Sequence, residues 1–390
     1  MFFLSTILFF FFSINVIVAQ DTSDVKKIKD IIIYQDTFFF SSFPSIIKLP
    51  NNEFYLAFRR APNRKKFGKK YHKHSDPNSH LMAVRSKDGE NWTKEPELIY
   101  ANPFGGSQDP CLLQLSNKTI LCSDYVWTFL EPEDSCELKE PYINGGEGVV
   151  FLGGHIIRSK DKGKTWSASI YPPKIKGIAH FNVFGDTIPA YNRGAMYEGR
   201  NKKIYWIVVG RDTLNKTSNH LLVSEDKGLN WHYSGVVATD EKISFNEASI
   251  YETPKGDLVG FLRTAGADDQ AYITRSSDGG KTFQWKSMNF QGNPLNALRL
   301  PDKRVLLTYG YRREPFGIRA RILNPECTNF NTAPEIILRD DAINPDIGYT
   351  WAVQLDRKRV LVVYYFNLEG EARHIAGTIL EIKPIKKKYR

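Results

Sequence analysis

The residues best suited to chemistry in this sequence are a glutamate, an arginine and a tyrosine, each at the edge of a short apolar run. Glu247 lies in Phe245-Asn246-Glu247-Ala248-Ser249, directly before one run, and Arg263 closes the next, Gly260-Phe261-Leu262-Arg263. Tyr349 lies in Ile347-Gly348-Tyr349-Thr350-Trp351. In Gly317-Ile318-Arg319-Ala320-Arg321 two arginines fall on one strand face, because alternate residues point the same way. Arginines grip carboxylates by paired, charge-assisted hydrogen bonds. Asp109, in Gly105-Gly106-Ser107-Gln108-Asp109-Pro110, either meets a ligand or caps a turn. Asp76 is flanked by His72, His74 and His80 next to a basic stretch, 59–73, that includes Arg59, Arg60 and Arg64. A histidine there could exchange protons near neutral pH; a solvated loop is the plain alternative. Equally plain alternatives are a structural ion pair for Glu247 and Arg263, ordinary packing for Tyr349, and surface turns for Asp340, Asp341 and Asp346.

Two repeats show what must position these residues. Ser159-Lys160-Asp161-Lys162-Gly163-Lys164-Thr165-Trp166 recurs as Ser224-Glu225-Asp226-Lys227-Gly228-Leu229-Asn230-Trp231 and Ser276-Ser277-Asp278-Gly279-Gly280-Lys281-Thr282-Phe283, with a shorter version at Ser86-Lys87-Asp88-Gly89-Glu90-Asn91-Trp92. An Asp- and Gly-rich turn between two strands is a hairpin: Asp accepts backbone N–H bonds, Gly permits positive φ, and the aromatic packs beneath. A second pattern, apolar strand, polar turn, apolar strand, occurs six times, beginning near residues 45, 111, 195, 249, 296 and 352. Repetition at this scale marks a repeat architecture. The last unit lacks a fourth strand, which Ile31-Ile32-Ile33-Tyr34 is placed to supply. The long insertions 62–80, 128–146 and 174–192 are of the kind that covers a site.

The Ser-x-Asp-x-Gly-x-Thr-Trp turns resemble the Asp boxes of the sialidase superfamily of β-propellers, and the resemblance extends over most of the chain. It implies an all-β, six-bladed propeller with four-stranded blades, with the boxes on the outer rim as structural turns. It also implies roles. Glu247 resembles the base that activates a tyrosine, and Tyr349 that nucleophile. Arg263 and Arg319 resemble two of three arginines that hold a substrate carboxylate, and Asp76 the acid/base. A carboxylate on the anomeric carbon would repel an anionic nucleophile, which is why sialidases use a neutral tyrosine. The chain departs from the pattern before its first inner strand: in Ser41-Ser42-Phe43-Pro44, Ser42 stands where the first arginine belongs. Arg59 or Arg60, at the end of the second strand, is placed to substitute. The expected activity is an exo-acting glycosidase on an acidic glycan. A uronate lyase using the same acid-binding pocket, or a glycan-binding propeller without catalysis, are the alternatives.

Composition agrees with a large β fold: of 390 residues, 42% are hydrophobic and 13% aromatic, with 25 Phe and 19 Tyr. Residues 1–19 read as a secretory signal and 20–390 as one domain. No other segment is long and apolar enough to cross a membrane. Asn91, Asn117 and Asn215 head Asn-x-Thr sequons, in keeping with secretion. The net charge of +10 in a secreted chain suits acidic glycans and not nucleic acid. Cys111 and Cys122 flank a hairpin and are either bridged or free; the spacing of the four cysteines, with Cys136 and Cys327, matches no zinc motif, and no EF-hand-like loop is present. No cofactor or metal is called for.

Overall fold

The computed structural model describes residues 24–68, 75–146, 148–175, 177–178, 180–370 and 372–385. The expected signal 1–19, His72 and His74 lie outside the described residues. The strands form six antiparallel sheets. Blade 1 is Phe39–Lys48, Phe54–Pro62, His80–Ser86 and Glu97–Tyr100. Blades 3, 4 and 5 begin with Tyr197–Glu198, Ser244–Glu252 and Leu295–Arg299 and continue through three further strands each. Blade 6 is Gly348–Gln354, Arg359–Phe366 and His374–Ile382, and its outermost strand is Val25–Tyr34. That strand runs antiparallel to His374–Ile382, with Ile31 opposite Gly377, so the start of the chain closes the ring as expected from residues 31–34 and extends further back.

Blade 2 deviates. Its innermost strand is split into Gly105–Ser107 and Cys111–Gln114, both paired with Ile120–Phe129. Its outermost place is held by the short strand Asn144–Gly146 against Val149–Ser159, and by a single bridge between Ile156 and Ile170.

Burial follows position in each blade. The middle strand Arg359–Phe366 is buried at every residue but Arg359, because neighbouring blades cover both its faces. The outer strand Gln284–Gln291 has exposed and covered residues interspersed. The core therefore sits between blades: one cluster joins Ile46, Phe58 and Val84 of blade 1 to Trp351, Leu361 and Val363 of blade 6.

The four Asp boxes are alike in detail. The serine Oγ accepts the glycine N–H, at 2.8 Å from Gly163 to Ser159 and 2.9 Å from Gly228 to Ser224. Asp161 Oδ1 accepts the N–H groups of Lys164 and Thr165 at 3.1 and 2.9 Å, and Oδ2 accepts the Thr165 hydroxyl at 2.6 Å. These bonds, Thr165's first, hold the Asp161 carboxyl down at about 2. Asp161→Ala is expected to loosen one rim turn, lowering stability by about 1 kcal/mol, and to leave ligand binding unchanged; thermal melting and titration calorimetry check both.

All four cysteines are free. The register explains why the hairpin is not bridged: Leu112, not Cys111, lies opposite Cys122. One step of offset puts the two thiols on opposite faces of the pleat. The acceptor asparagines Asn91, Asn117 and Asn215 are all exposed.

Candidate active site

The starts of the innermost strands meet at the axis, and one buried arginine ties them together. Arg193, just ahead of blade 3, donates Nη1 to Cys111 Sγ at 3.0 Å. Its Nη2 donates to the Pro44 carbonyl at 2.9 Å and the Tyr349 carbonyl at 3.2 Å. Blades 1, 2 and 6 are thus fixed from blade 3. Tyr349 sits at a bulge, where Gly348 pairs with Tyr365 and Trp351 with Val363. Its φ is +53°, a left-handed value uncommon for a tyrosine. A Cβ on Gly348 would lie 2.9 Å from the Gly310 Cα, so only glycine fits there. The bulge re-aims the tyrosine towards the axis. Its ring packs edge-on against Phe43, at 4.7 Å between centroids, and beside Tyr365 at 5.7 Å.

Tyr349, Glu247 and Arg263 come together as one hydrogen-bonded unit. Tyr349 Oη donates to Glu247 Oε1 at 2.6 Å. Arg263 Nη1 donates to Glu247 Oε2 at 2.6 Å and reaches Tyr349 Oη at 3.0 Å. Burial by itself would raise the Glu247 carboxyl; the Arg263 charge, the tyrosine hydrogen bond and Arg312 outweigh it and hold the carboxyl below the usual glutamate range. Burial, with the Glu247 charge adding to it, drives the Tyr349 hydroxyl well above 10. The resting pair is therefore a neutral phenol donating to a carboxylate.

Arg312 is the arginine of blade 5 that joins this unit. It follows the strand Val305–Tyr311, its guanidinium lies 5.3 Å from the Tyr349 ring, and it donates to the Ile347 carbonyl at 3.0 Å. Arg319, expected there from the sequence, is not brought to Tyr349. It donates to the Pro315 carbonyl at 3.1 Å and to the Arg339 carbonyl, and lies 3.5 Å from Glu335. Arg321 likewise donates to Tyr309 Oη at 3.1 Å and to the Ala333 carbonyl. Both sit on the third strand of their blade, one place too far from the axis, and tie it to the outermost strand.

The register settles which of Arg59 and Arg60 faces inward. Arg59 pairs with Ser42 and Arg60 with Ser41. Directly paired residues share a face, so Arg59 occupies the space beside the small Ser42. Arg59 is 1% exposed, its Nε and Nη2 have no hydrogen-bond partner among the described residues, and Asp76 and Asp109 act on its charge. Burial pulls this guanidinium down to about 10, still cationic at neutral pH. Arg60 faces the other way, paired with Asp36 at 2.9 Å and stacked on Phe39 at 3.5 Å.

Asp76 is buried and held at both oxygens by Arg64, each bond 2.9 Å. Burial lowers His80 below 6.5, as does Arg60. Asp109 caps no turn: it is fully buried, accepts from Tyr125 Oη at 2.8 Å, and leaves Oδ1 without a partner. Burial pushes its carboxyl up to about 7.

Asp124, beside Asp109, is also pushed up to about 7 by burial. Such a group favours folding while protonated, so its contribution is complete below its ordinary 3.8 and is lost as pH rises through about 7. Asp124→Asn is expected to flatten the fall of stability between about pH 4 and 7, measured by denaturant unfolding at each pH.

Arg193, Arg312, Tyr125 and Asp124 were not singled out by the sequence. Arg312 had a signal: Arg59, Arg263 and Arg312 all fall at the end of the second strand of their blades. Arg193 had a weaker one, standing just before the inner strand Tyr197–Glu198.

The model of the BNR repeat-like domain family matches residues 143–362. The chain belongs to that family. BNR repeats are the Asp boxes described above, and the fold is the sialidase-superfamily propeller. A Dyadobacter fermentans protein of unknown function is 62% identical over 92% of this chain and 99% of its own, with a TM-score of 0.91. The Hadza microbial sialidase Hz136 is 15% identical, covering 88% of this BNR chain and 66% of its own, at a TM-score of 0.64. A Penicillium chrysogenum α-L-arabinanase complexed with arabinobiose is 12% identical over 91% of this chain and 98% of its own, at 0.61. The last two show a shared fold. No curated protein matches the chain. Among the described residues, no helix is long and apolar enough to cross a membrane.

Proposed function

We propose that this protein is a secreted exo-glycosidase that removes an acidic sugar from the end of a glycan, residues 1–19 directing its export. The observation that carries this is the Tyr349–Glu247–Arg263 unit: a neutral phenol hydrogen-bonded at 2.6 Å to an ionised carboxylate, with arginines on the same side. Arg59, Arg263 and Arg312 receive the sugar carboxylate, Arg59 in place of the arginine that Ser42 lacks. Tyr349 Oη attacks the anomeric carbon as its proton passes to Glu247, and the bond to the leaving oxygen breaks. Asp76 protonates that oxygen and then takes a proton from the water that releases the sugar from Tyr349, while Glu247 returns its proton. Both Asp76 oxygens are held by Arg64 in this structure, so the step requires that pair to open and Asp76 to take up a proton from water before it acts as the acid. Asp109, fully buried here, reaches the sugar only once its Oδ1 is uncovered.

The test is product formation on a panel of sialosides and uronic-acid glycans, followed by chromatography and ultraviolet absorbance together. The expected product is a free sugar acid with no new absorbance, lost in Tyr349→Phe. An ultraviolet-absorbing unsaturated uronate would replace hydrolysis with elimination. Binding without turnover, unchanged in Tyr349→Phe and Glu247→Gln, would make the protein a lectin.

A further inference from the structure

Blade 2 holds a second concavity that plays no part in the steps above. It is a pocket of about 300 Å³, at the lower end of ligand-pocket sizes, between the strand Val149–Ser159 and the loops around residues 102–104 and 171–189. Three large rings converge on it that folding has left in water: Phe104 at 59% exposed, Phe184 at 57% and Tyr171 at 63%. Phe104 and Phe184 meet edge to face at 5.0 Å, which braces two separate loops in one platform. Exposed aromatics gathered at one concave place mark a binding surface, whereas scattered ones do not.

The polar groups point to the kind of ligand. His155 lines the pocket and is 2% exposed; its Nε2 is buried, 3.8 Å from Asp124, with no hydrogen-bond partner among the described residues. Burial lowers the ring to about 4, so it is neutral and able to donate or accept. Asn182 Oδ1 accepts the N–H groups of Phe184 and Asp186 at 3.0 and 3.1 Å, which fixes the loop and leaves the amide nitrogen free. The exposed Asp186 carboxylate has no partner among the described residues. No lysine or arginine lines the pocket, in contrast with Arg59, Arg193, Arg263 and Arg312 around Tyr349. An anion is therefore disfavoured. Flat rings flanked by neutral and acidic hydrogen-bonding groups suit a ligand with an apolar C–H face and a rim of hydroxyls.

We propose that this pocket is a second carbohydrate site, which takes one neutral sugar ring stacked on Phe104, Phe184 and Tyr171 and hydrogen-bonded by Asn182 and Asp186, with His155 as part of the wall. The proposal needs no turnover at Tyr349. If the hydrolase holds as well, an acidic end group sits at the axis and a neutral sugar at blade 2.

Saturation-transfer NMR with lactose, N-acetyllactosamine, cellobiose, xylobiose and arabinobiose, each titrated to about 10 mM, tests it. At least one is expected to bind with a Kd of about 1 mM or tighter. Phe184→Ala and Tyr171→Ala should each weaken that binding about tenfold or more, with melting temperatures kept because both rings are exposed, and Tyr349→Phe should leave it unchanged. No binding by any of the five overturns the proposal. So does binding that Phe184→Ala and Tyr171→Ala both spare, which would place the sugar elsewhere than blade 2.

Discussion

Tyr349→Phe should abolish turnover and leave the fold and the binding of an acidic ligand nearly intact. The substitution removes one oxygen from a ring that packs against Phe43 and Tyr365, and the ring stays. Glu247 loses the donor at 2.6 Å but keeps Arg263 on its other oxygen, so the stability cost is about 1 kcal/mol. The arginines proposed to face a ligand carboxylate are untouched. What disappears is the atom that forms the bond and the proton that Glu247 accepts. The expected loss in kcat is about 1,000-fold or more, with KM within a few-fold. Steady-state kinetics on the substrate found by the glycan panel measure it. A variant that keeps a tenth of wild-type kcat would remove Tyr349 from the chemistry.

Arg263→Ala should be the more damaging change, because two roles meet in one guanidinium. It removes part of the proposed carboxylate clamp and strips the charge partner from the half-buried Glu247. Removing one partner of a buried charge pair costs about 3–5 kcal/mol of stability. The pair is not fully dry: the Arg263 side chain is 26% exposed and that of Glu247 13%. The stability cost therefore belongs near the low end, about 3 kcal/mol. It should also depend on pH. Arg263 is the largest of the influences that lower the Glu247 carboxyl. A carboxyl lowered by folding stabilises the protein above its ordinary range and loses that contribution as pH falls through the lowered value. The gap between wild type and Arg263→Ala should thus be wide at neutral pH and shrink below about pH 4. Unfolding curves at pH 3.5 and 7 check the stability, and calorimetry with an acidic sugar checks the binding. The contrast with Asp161→Ala is part of the prediction: that variant loses a rim turn and keeps its affinity.

The architecture was legible because it is written in repeated local signals. Ser-x-Asp-x-Gly turns and apolar hairpins recur at each blade, and each is decided within a dozen residues. The closing strand was legible too, since blade 6 ran short and Ile31–Tyr34 had the right pattern. Tyr349, Glu247 and Arg263 were singled out by resemblance, and the structure brings the three side chains into one hydrogen-bonded unit. What the sequence left open or placed differently were residues whose place depends on pairing between strands. Arg319 and Arg312 are seven positions apart, and only the position of their strands within blade 5 decides which reaches Tyr349. Arg59 and Arg60 are adjacent and differ only in the face they share with Ser42 or Ser41. Cys111 and Cys122 look bridgeable until the register sets them one step apart. The aromatic pocket of blade 2 was beyond sequence because it gathers Phe104, Tyr171 and Phe184 from distant segments, one of them an insertion with no repeat to anchor it.

The measurement that goes furthest is peptide mass spectrometry of the protein incubated with the 2,3-difluoro analogue of the sugar acid it releases. The fluorines slow breakdown of a glycosyl-enzyme, so a covalent nucleophile is caught in place. The structure predicts one added sugar, attached to the peptide that contains Tyr349, absent in Tyr349→Phe and slow to form in Glu247→Gln. An adduct on another residue, or turnover with no adduct at all, would contradict a tyrosine nucleophile at the channel axis.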